Sequence, residues 1–369
     1  MRFLVIFLLL SLSPWSLWGG ELEVGEVEPL TGFLSHQGVA LHRGLVLALE
    51  DTARGVSCTL LVRDDSSHPP GARAAAEDLV AKGVQVLTGG YVDSLVGPVA
   101  QVALRHRIPY LAPASLMAGL TRGENPYFFR ISSGEALLDT LHRGIKELFH
   151  PRKVAIFYPS TPGATELATR LAELLRAEGV QVVALERFDP SSGVLAPLLF
   201  RIKGRVDLLV SFGFFADNVR MIKALRRYRL RVGEFLGVFG MEERELVEEL
   251  GREADGLWGT TSWLPHLPYP GTEEESRRFV EAFRRRFGVA PRPLAMHGYA
   301  AGKAILAAAR LLLERGKPLT PDNMARALRE VRVLTPMGPI SFDDRGEPGS
   351  YRRVIFRIEG GAPRLCWGR

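Results

Sequence analysis

Residues Val84–Ser94 read Val-Gln-Val-Leu-Thr-Gly-Gly-Tyr-Val-Asp-Ser, and residues Ile108–Thr121 read Ile-Pro-Tyr-Leu-Ala-Pro-Ala-Ser-Leu-Met-Ala-Gly-Leu-Thr. The two apolar runs predict short strands, and the amphipathic segment between them predicts a helix capped by Asp93 or Ser94. Short connections make such strands parallel, so the loops that follow them emerge at one sheet edge. Open parallel sheets bind ligands at that edge. We therefore expect both loops to form a binding wall.

The alternation of strands and helices continues on both sides of this stretch. Leu22–Arg130 reads β-α-β-α-β-α-β, and a similar series runs from Val154 to Trp263. This pattern is typical of doubly wound parallel sheets. A chain of 369 residues exceeds one ordinary core, so we predict two α/β lobes. The turn Asp344-Arg345-Gly346 predicts that a hairpin ends the chain, with Tyr351–Ile358 as its last strand.

The bulk composition narrows the class of protein. Apolar residues make up 46% and charged residues 24%, which is the balance of a globular protein. The formal charge of +6 is carried mostly by arginines scattered along helical segments. Because no basic cluster with interleaved aromatics occurs, we expect no nucleic-acid partner.

The first twenty residues have the pattern of an export signal. Arg2 precedes an apolar run of about ten residues, and small residues follow before acidic Glu21. Residues 1–20 are therefore predicted to be a signal peptide and the protein to be periplasmic or extracytoplasmic. An uncleaved anchor stays open as an alternative, because Trp18 near the exit is not small. No cysteine follows the run, which argues against a lipid-attached form.

The chain has two cysteines, Cys58 in a predicted strand and Cys366 near the C-terminus. Export would permit a disulfide, but the sequence leaves open whether the two side chains meet.

Motifs for catalysis and metal binding are absent from the sequence. It contains no Gly-x-Ser-x-Gly elbow, no His-Glu-x-x-His helix, no Cys-x-x-Cys and no Gly-x-Gly-x-x-Gly after the first strand. Gly298–Ala304 lies in a helical pattern and is predicted to pack helices rather than to bind phosphate. Asp64-Asp65 is compatible with a carboxylate site or with turn and cap residues. We expect no enzyme, no cofactor and no metal site.

Several stretches together resemble the Leu/Ile/Val-binding type of periplasmic solute-binding proteins, the receptors of branched-chain amino-acid ABC importers. The resemblance covers the chain from Glu21 onward. It rests on the following segments: Pro29-Leu-Thr-Gly32 with Gly38 and Gly44, Asp64-Asp65 with Pro69, Thr88-Gly89 through Pro98, Ile108-Pro-Tyr-Leu-Ala-Pro-Ala-Ser115, and Gly338-Pro-Ile-Ser-Phe-Asp-Asp-Arg-Gly346.

The resemblance implies two doubly wound lobes joined by a three-strand hinge, with the ligand in the cleft between them. The N-terminal lobe would comprise residues 21–133 plus 265–335, and the C-terminal lobe residues 134–264 plus 336–369. Closure would bury the ligand and present a new surface to an ABC permease in the inner membrane. We expect the receptor to be a monomer.

The family's ligand contacts fall on changed residues in this sequence. The serine that holds the amino-acid carboxylate falls on Asp93, next to Ser94, and the loop threonine falls on Leu116 after Ala114 and Ser115. The aromatic residue of the first loop falls on Gln37. The tyrosine of the second lobe falls on Phe214, and the glutamate that pairs with the ligand's ammonium falls on Phe239.

These changes predict a ligand other than a free branched-chain amino acid. Hydrogen bonds to charged groups contribute ~1.5–3 kcal/mol each, so the loss of two weakens binding roughly 10²–10⁴-fold. An ionised Asp93 would also repel a carboxylate. An aromatic or aliphatic compound that offers an amide, hydroxyl or amine suits the changed cleft. Two alternatives stay open: Asp93 as a helix cap, and Phe214 and Phe239 as core residues.

Three functions are compatible with the sequence. The first is a solute-binding receptor of an ABC importer, without catalysis. The second is a sensory or envelope regulatory protein on the same fold, and the third is an exported α/β hydrolase or oxidoreductase.

Overall fold

The structure is a computed structural model that describes residues 21–50, 55–122, 125–190, 195–202, 204–230 and 232–368. The predicted signal peptide, residues 1–20, lies outside the described residues. The apolar spacing of residues 194–203 also predicts a helix, and its two end residues, Val194 and Lys203, lie outside the described residues as well. Within the described ranges, no helix is both long enough and apolar enough to cross a bilayer.

The first lobe is built on a parallel five-stranded sheet in the order β2-β1-β3-β4-β5. The buried strands are short apolar runs, and each ends at a Gly-, Pro- or Ser-containing loop, as the alternating pattern predicted. The elements are β1 (Leu22–Glu28), α1 (Ser35–Leu49), β2 (Cys58–Asp64), α2 (Pro69–Ala81), β3 (Val86–Gly89), α3 (Asp93–His106), β4 (Tyr110–Ala112), α4 (Gly119–Arg122) and β5 (Phe128–Arg130).

The second lobe is built on a seven-stranded sheet in the order β14-β13-β10-β9-β8-β6-β7. Strands β6 to β10 are parallel, and β13 and β14 are antiparallel additions at one edge. The elements are α5 (Gly134–Phe149), β6 (Lys153–Pro159), α6 (Pro162–Ala177), β7 (Gln181–Phe188), α7 (Ala196–Leu199), β8 (Val206–Ser211), α8 (Phe215–Arg227), β9 (Val232–Gly237), α9 (Arg244–Leu250), β10 (Trp258–Thr261), β13 (Val354–Glu359) and β14 (Ala362–Trp367).

Both lobes use the same parallel strand order. In each, the first strand of the lobe lies between the second and the third, so the sheet has a topological switch point beside its first strand. The switch points lie between β1 and β3 in one lobe and between β6 and β8 in the other. The loops after such strands diverge and leave a crevice. The prediction of two doubly wound α/β lobes is thus confirmed.

Three helices and a two-stranded ribbon return to the first lobe. They are α10 (Glu273–Phe287), α11 (Pro293–Glu314), α12 (Pro321–Glu330), β11 (Val333–Thr335) and β12 (Gly338–Ile340). Their apolar side chains share one core with β1 and β3. Two glycines allow α1 and α11 to approach closely: a Cβ on Gly44 would lie 1.8 Å from the Ala295 carbonyl oxygen, and one on Gly298 would lie 2.0 Å from that of Leu41. Gly298 therefore packs helices, as predicted.

The third passage of the chain between the lobes comes later than the predicted boundary at Thr335. The Phe342 ring meets the Phe129 ring edge-on at 5.4 Å, and Arg130 Nε donates to Glu347 Oε2 over 3.1 Å. Residues 336–347 therefore pack on the first lobe, while β13 and β14 join the second sheet.

Two local predictions were wrong. The predicted closing hairpin does not form as described: β12 pairs with β11, and β13 pairs with β14 around Gly360. The turn at Asp343–Gly346 exists, but only the bridge between Phe342 and Pro348 flanks it. Helix α3 is not capped by a side chain; its N-cap is Val92, and Asp93 is its first residue.

The two cysteines lie in different sheets and carry free thiols. Cys58 is half-buried in β2, and Cys366 is exposed in β14.

Three buried carboxylates lie around the ends of β1 and β2. Glu26, Glu28 and Asp65 are 0–1% exposed, and each has one oxygen without a hydrogen-bond partner among the described residues. Burial raises the pKa of Glu28 well above its usual range, and burial raises that of Asp65 to about 6. The pKa of neighbouring Asp64 is lowered instead. Burial acts to raise this pKa, but hydrogen bonds from Thr31, Ser66 and Leu30 outweigh it.

We predict that Asp65→Asn stabilises the protein at pH 7.5 and has little effect at pH 4. A carboxyl whose pKa is raised in the folded protein binds its proton more tightly when folded. Its stabilising contribution is therefore complete below pH 3.8, the ordinary pKa of aspartate, and is lost as the pH rises through about 6. Asparagine mimics the protonated form at every pH. Urea-unfolding midpoints of both proteins at the two pH values measure the difference.

Asp64→Asn is the matched control and should act in the opposite direction. A lowered pKa adds stability at neutral pH that is lost on acidification, so this variant should be destabilised at pH 7.5, with a smaller deficit at pH 4. If both variants change stability with the same sign at pH 7.5, the assignment of the two carboxyls is wrong.

Candidate functional site: the cleft between the lobes

Loops at the carboxyl ends of strands from both lobes enclose a cleft. The first lobe contributes the loops after β3, β4 and β5 and the first turns of α1 and α11. The second lobe contributes the loops after β6, β8, β9 and β10 and the residues just before β13. The lining residues are His36, Gln37, Tyr91, Val92, Asp93, Ala114, Ser115, Leu116, Ser132, Thr161, Ala164, Phe214, Phe215, Phe239, Gly240, Glu242, Glu243, Thr261, Ser262, Pro293, Leu294, His297, Tyr351 and Arg353.

The first wall is organised by the Asp93 carboxylate. Asp93 Oδ1 accepts from Ser115 Oγ over 2.8 Å, from the Leu116 amide over 2.9 Å and from the Met117 amide over 3.0 Å. Charge-assisted bonds of this kind are the strong ones. The loop after β4 thus directs three donors at the carboxylate of Asp93, a side chain of the protein and not a group of a ligand.

The same carboxylate lies against the second lobe. A Cβ added to Gly163, near the start of α6, would lie 2.0 Å from Asp93 Oδ2. A second contact between the lobes lies nearby, where the Ala118 amide donates to Glu166 Oε2 over 3.1 Å. Leu116 packs against the core of the second lobe. Closure of this side therefore depends on a residue without a side chain at Gly163.

Aromatic rings form the opposite wall. Phe214 follows β8 and Phe239 follows β9; their ring centroids are 6.1 Å apart and the planes are nearly parallel, at 28°. Tyr91 of the first lobe lies 5.9 Å from the Phe214 ring. Phe214 and Phe239 are half-buried and line the cleft at the edge of a core. They therefore share features of both predicted roles, ligand contact and core residue.

The floor is held by groups that are already hydrogen-bonded. His297 lies 2.8 Å from Ser262 Oγ and 3.1 Å from the Pro113 carbonyl oxygen. Because a carbonyl only accepts, Nδ1 carries the proton and Nε2 accepts from the serine. Burial lowers the pKa of His297 to about 4, so the ring is neutral at pH 7. The ring thus ties Ser262, which follows β10, to Pro113 in the first wall.

Arg353 is the one guanidinium among the described lining residues. It donates to Thr260 Oγ1 over 2.7 Å and to two carbonyl oxygens, and it lies 5.9 Å from the Phe239 ring centroid. Its Nε is buried and has no partner among the described atoms. The side chain is therefore committed mainly to the end of β10.

One end of the cleft is acidic. Glu242 and Glu243 follow β9; burial raises the pKa of Glu242, and burial together with Glu242 raises that of Glu243 to about 8. Arg292 of the first lobe donates to Glu243 over 2.8 Å and pairs with Glu245. These pairs connect the two lobes at the mouth of the cleft.

The structure brings seven of the eight predicted contact residues to one cleft. Gln37, Asp93, Ala114, Ser115, Leu116, Phe214 and Phe239 line it, whereas Ser94 on α3 does not. Sequence reasoning missed the acidic pair Glu242-Glu243, whose only signal was its place just after the apolar run of residues 235–239. It also missed His297 and Arg353, which come from segments far along the chain.

Most of the chain matches one family. The model of the family described as "Periplasmic binding protein" matches residues 21–362. The chain belongs to the periplasmic binding protein family. This periplasmic binding protein is 22% identical over 355 residues to the Leu/Ile/Val-binding protein homolog 1 of Brucella abortus (strain 2308), covering 94% of this chain and 92% of that protein. The resemblance read from the sequence is confirmed.

Solved structures share the fold of this periplasmic binding protein. The leucine-binding protein LivK of Thermotoga maritima MSB8 has a TM-score of 0.82 at 20% identity, covering 94% of this chain and 98% of that one. A solute-binding protein of an ABC transporter from R. palustris, solved with benzoate, has a TM-score of 0.78 at 20% identity, covering 95% and 96%. These two solved proteins of the same fold are described with different ligands, leucine for one and benzoate for the other.

We predict that Gly163→Ala prevents full closure of the cleft. The new methyl group would meet an Asp93 carboxylate that three hydrogen bonds hold in place, so the lobes must stay apart. Small-angle scattering should show a larger radius of gyration than for the parent protein. Gly97→Ala on α3 is the control, because nothing lies within 4 Å of its Cβ position. Equal radii for the three proteins would contradict this account of closure.

Proposed function

We propose that this protein is an exported receptor that captures a small molecule between its lobes and delivers it to an ABC permease. The observation that carries the proposal is the cleft itself, which both lobes build from segments at the carboxyl ends of their parallel strands. The cavity of about 90 Å³ has room for several waters, each needing ~10–15 Å³, or for part of a small ligand. Apolar rings surround it, and a few polar atoms point into it.

The protein makes no covalent change to its ligand in this proposal. The candidate nucleophile and its nearest base are held in structural bonds: His297 is neutral and hydrogen-bonded at both ring nitrogens, and Ser115 donates to Asp93. The family supports this, because its described members are binding proteins. The monomeric state, the permease partner and the signal peptide at residues 1–20 are parts of the same proposal.

We further propose that the ligand is not a free branched-chain amino acid. In the relatives named for leucine, isoleucine and valine, the ligand carries a carboxylate. Here Asp93 Oδ1 already takes the donors of Ser115, Leu116 and Met117. An incoming carboxylate would find these donors engaged and would face a fixed negative charge. The benzoate-bound relative supports the idea that members of this fold differ in ligand class.

We predict that Asp93→Ser gives the protein affinity for leucine or benzoate that the parent lacks. Removal of the carboxylate frees the Leu116 and Met117 amides. Two hydrogen bonds to a charged group contribute ~3–6 kcal/mol together, a gain of roughly 10²–10⁴-fold. Titration calorimetry with both compounds measures the gain.

Asp93→Asn is the matched control for this experiment. Its side-chain oxygen still accepts from the loop, so the donors stay engaged and no comparable gain should follow. Tight binding of leucine by the parent protein, or no gain in Asp93→Ser, would contradict the proposed role of Asp93.

A further inference from the structure

The charge of the cleft is opposite to that of the chain. Three carboxyl groups and one guanidinium line it among the described residues, namely those of Asp93, Glu242, Glu243 and Arg353, a formal charge of −2 when every carboxyl is ionised. Because the pKa of Glu243 is raised to about 8, that residue adds little negative charge at pH 7. The whole chain carries +6. Of the two lining histidines, His297 is neutral at pH 7 and burial lowers the pKa of His36. An enclosed acidic site in a basic protein concentrates cations.

Two buried oxygens of the cleft lack donors. Gln37 Oε1 and Glu242 Oε2 have no hydrogen-bond partner in the described part of the chain. They come from different lobes and line the same cavity. A buried acceptor without a donor costs ~1–3 kcal/mol, and more when it is charged. The cavity therefore presents acceptors to whatever enters it.

Arg353 does not supply the missing partner. Its Nη2 donates to the Val238 and Thr260 carbonyl oxygens and to Thr260 Oγ1. The charge of Arg353 opposes the raised pKa of Glu242, but burial outweighs it. Arg292, the other nearby guanidinium, is shared between Glu243 and Glu245. Backbone amides of residues 240–242 donate to the Glu242 carboxylate and lower its pKa, but its Oε2 has no partner among the described atoms.

The aromatic wall suits the same kind of ligand. The rings of Tyr91, Phe214 and Phe239 form a continuous series with centroid separations of 5.9 and 6.1 Å. Such rings pack against an apolar body and attract cations at their faces, an effect worth ~2 kcal/mol when the cation is desolvated. On the opposite wall, the donors of residues 115–117 are engaged by Asp93 rather than offered to an anion.

We infer that the ligand is a small primary amine with an apolar body and no carboxylate, whose ammonium donates to Gln37 Oε1 and Glu242 Oε2. The apolar body lies between Leu116 and the aromatic wall. This inference rests on the proposed function, because it concerns the same cleft. It specifies the charge of the ligand, which the proposed function leaves undefined.

Three nearly isosteric probes test the inference: benzylamine, benzamide and benzoate, which carry charges of +1, 0 and −1 at neutral pH. The mature protein, residues 21–369, is titrated with each by calorimetry. We expect benzylamine to bind at least ~10-fold more tightly than benzamide and benzoate not to bind. Glu242→Gln should weaken benzylamine at least ~10-fold and leave benzamide unchanged. Glu248→Gln, on the exposed side of α9 where Glu248 pairs with Arg244, should change neither.

Several results would overturn the inference. Benzoate binding more tightly than benzylamine would show an anion site, and unchanged benzylamine affinity in Glu242→Gln would remove the acceptor from the site. Either leaves the receptor function intact. Absence of binding by all three probes would also overturn it. If Asp93→Ser also failed to gain leucine or benzoate, the proposed role of Asp93 in ligand selectivity would be contradicted as well.

Discussion

The carboxylate of Asp93 is the constraint on which the cleft depends. A single oxygen receives three donors from residues 115–117, and the other oxygen lies against the backbone of the second lobe at Gly163. The first set of contacts fixes the shape of one wall, and the second sets how closely the lobes approach. In the proposed function, this internal charge also decides which ligand charges the wall accepts. Shape, closure and selectivity therefore share one residue.

The fold was largely predictable because its signals are local. The apolar runs at Leu22, Val86 and Val206 and the glycines that end the helices between them specify parallel strands with helical crossovers. The pairing of the last strands was not predictable. The turn at Asp343–Gly346 has hairpin chemistry, yet β12 pairs with the preceding β11, and β13 reaches β10 of the other lobe. Such pairings depend on where the chain crosses between lobes, which no local pattern reports.

The site was predictable in position but less so in composition. Gln37, Leu116, Phe214 and Phe239 come together because each follows a parallel strand whose carboxyl end faces the cleft. Asp93 was predicted to cap helix α3 or to face the ligand, because the sequence shows only that it lies at the start of a helix. In the structure its carboxylate instead accepts three hydrogen bonds from the neighbouring loop. Arg353 and His297 reach the floor from segments that the sequence places far away. Their contribution requires the tertiary structure.

The most direct test of the central claim is a crystal structure of the protein with a ligand in the cleft. We predict that Asp93 Oδ1 remains within hydrogen-bond distance of Ser115 Oγ and of the Leu116 and Met117 amides, with no anionic group of the ligand on these donors. A ligand carboxylate bound to those amides, with the Asp93 side chain turned away, would contradict the account.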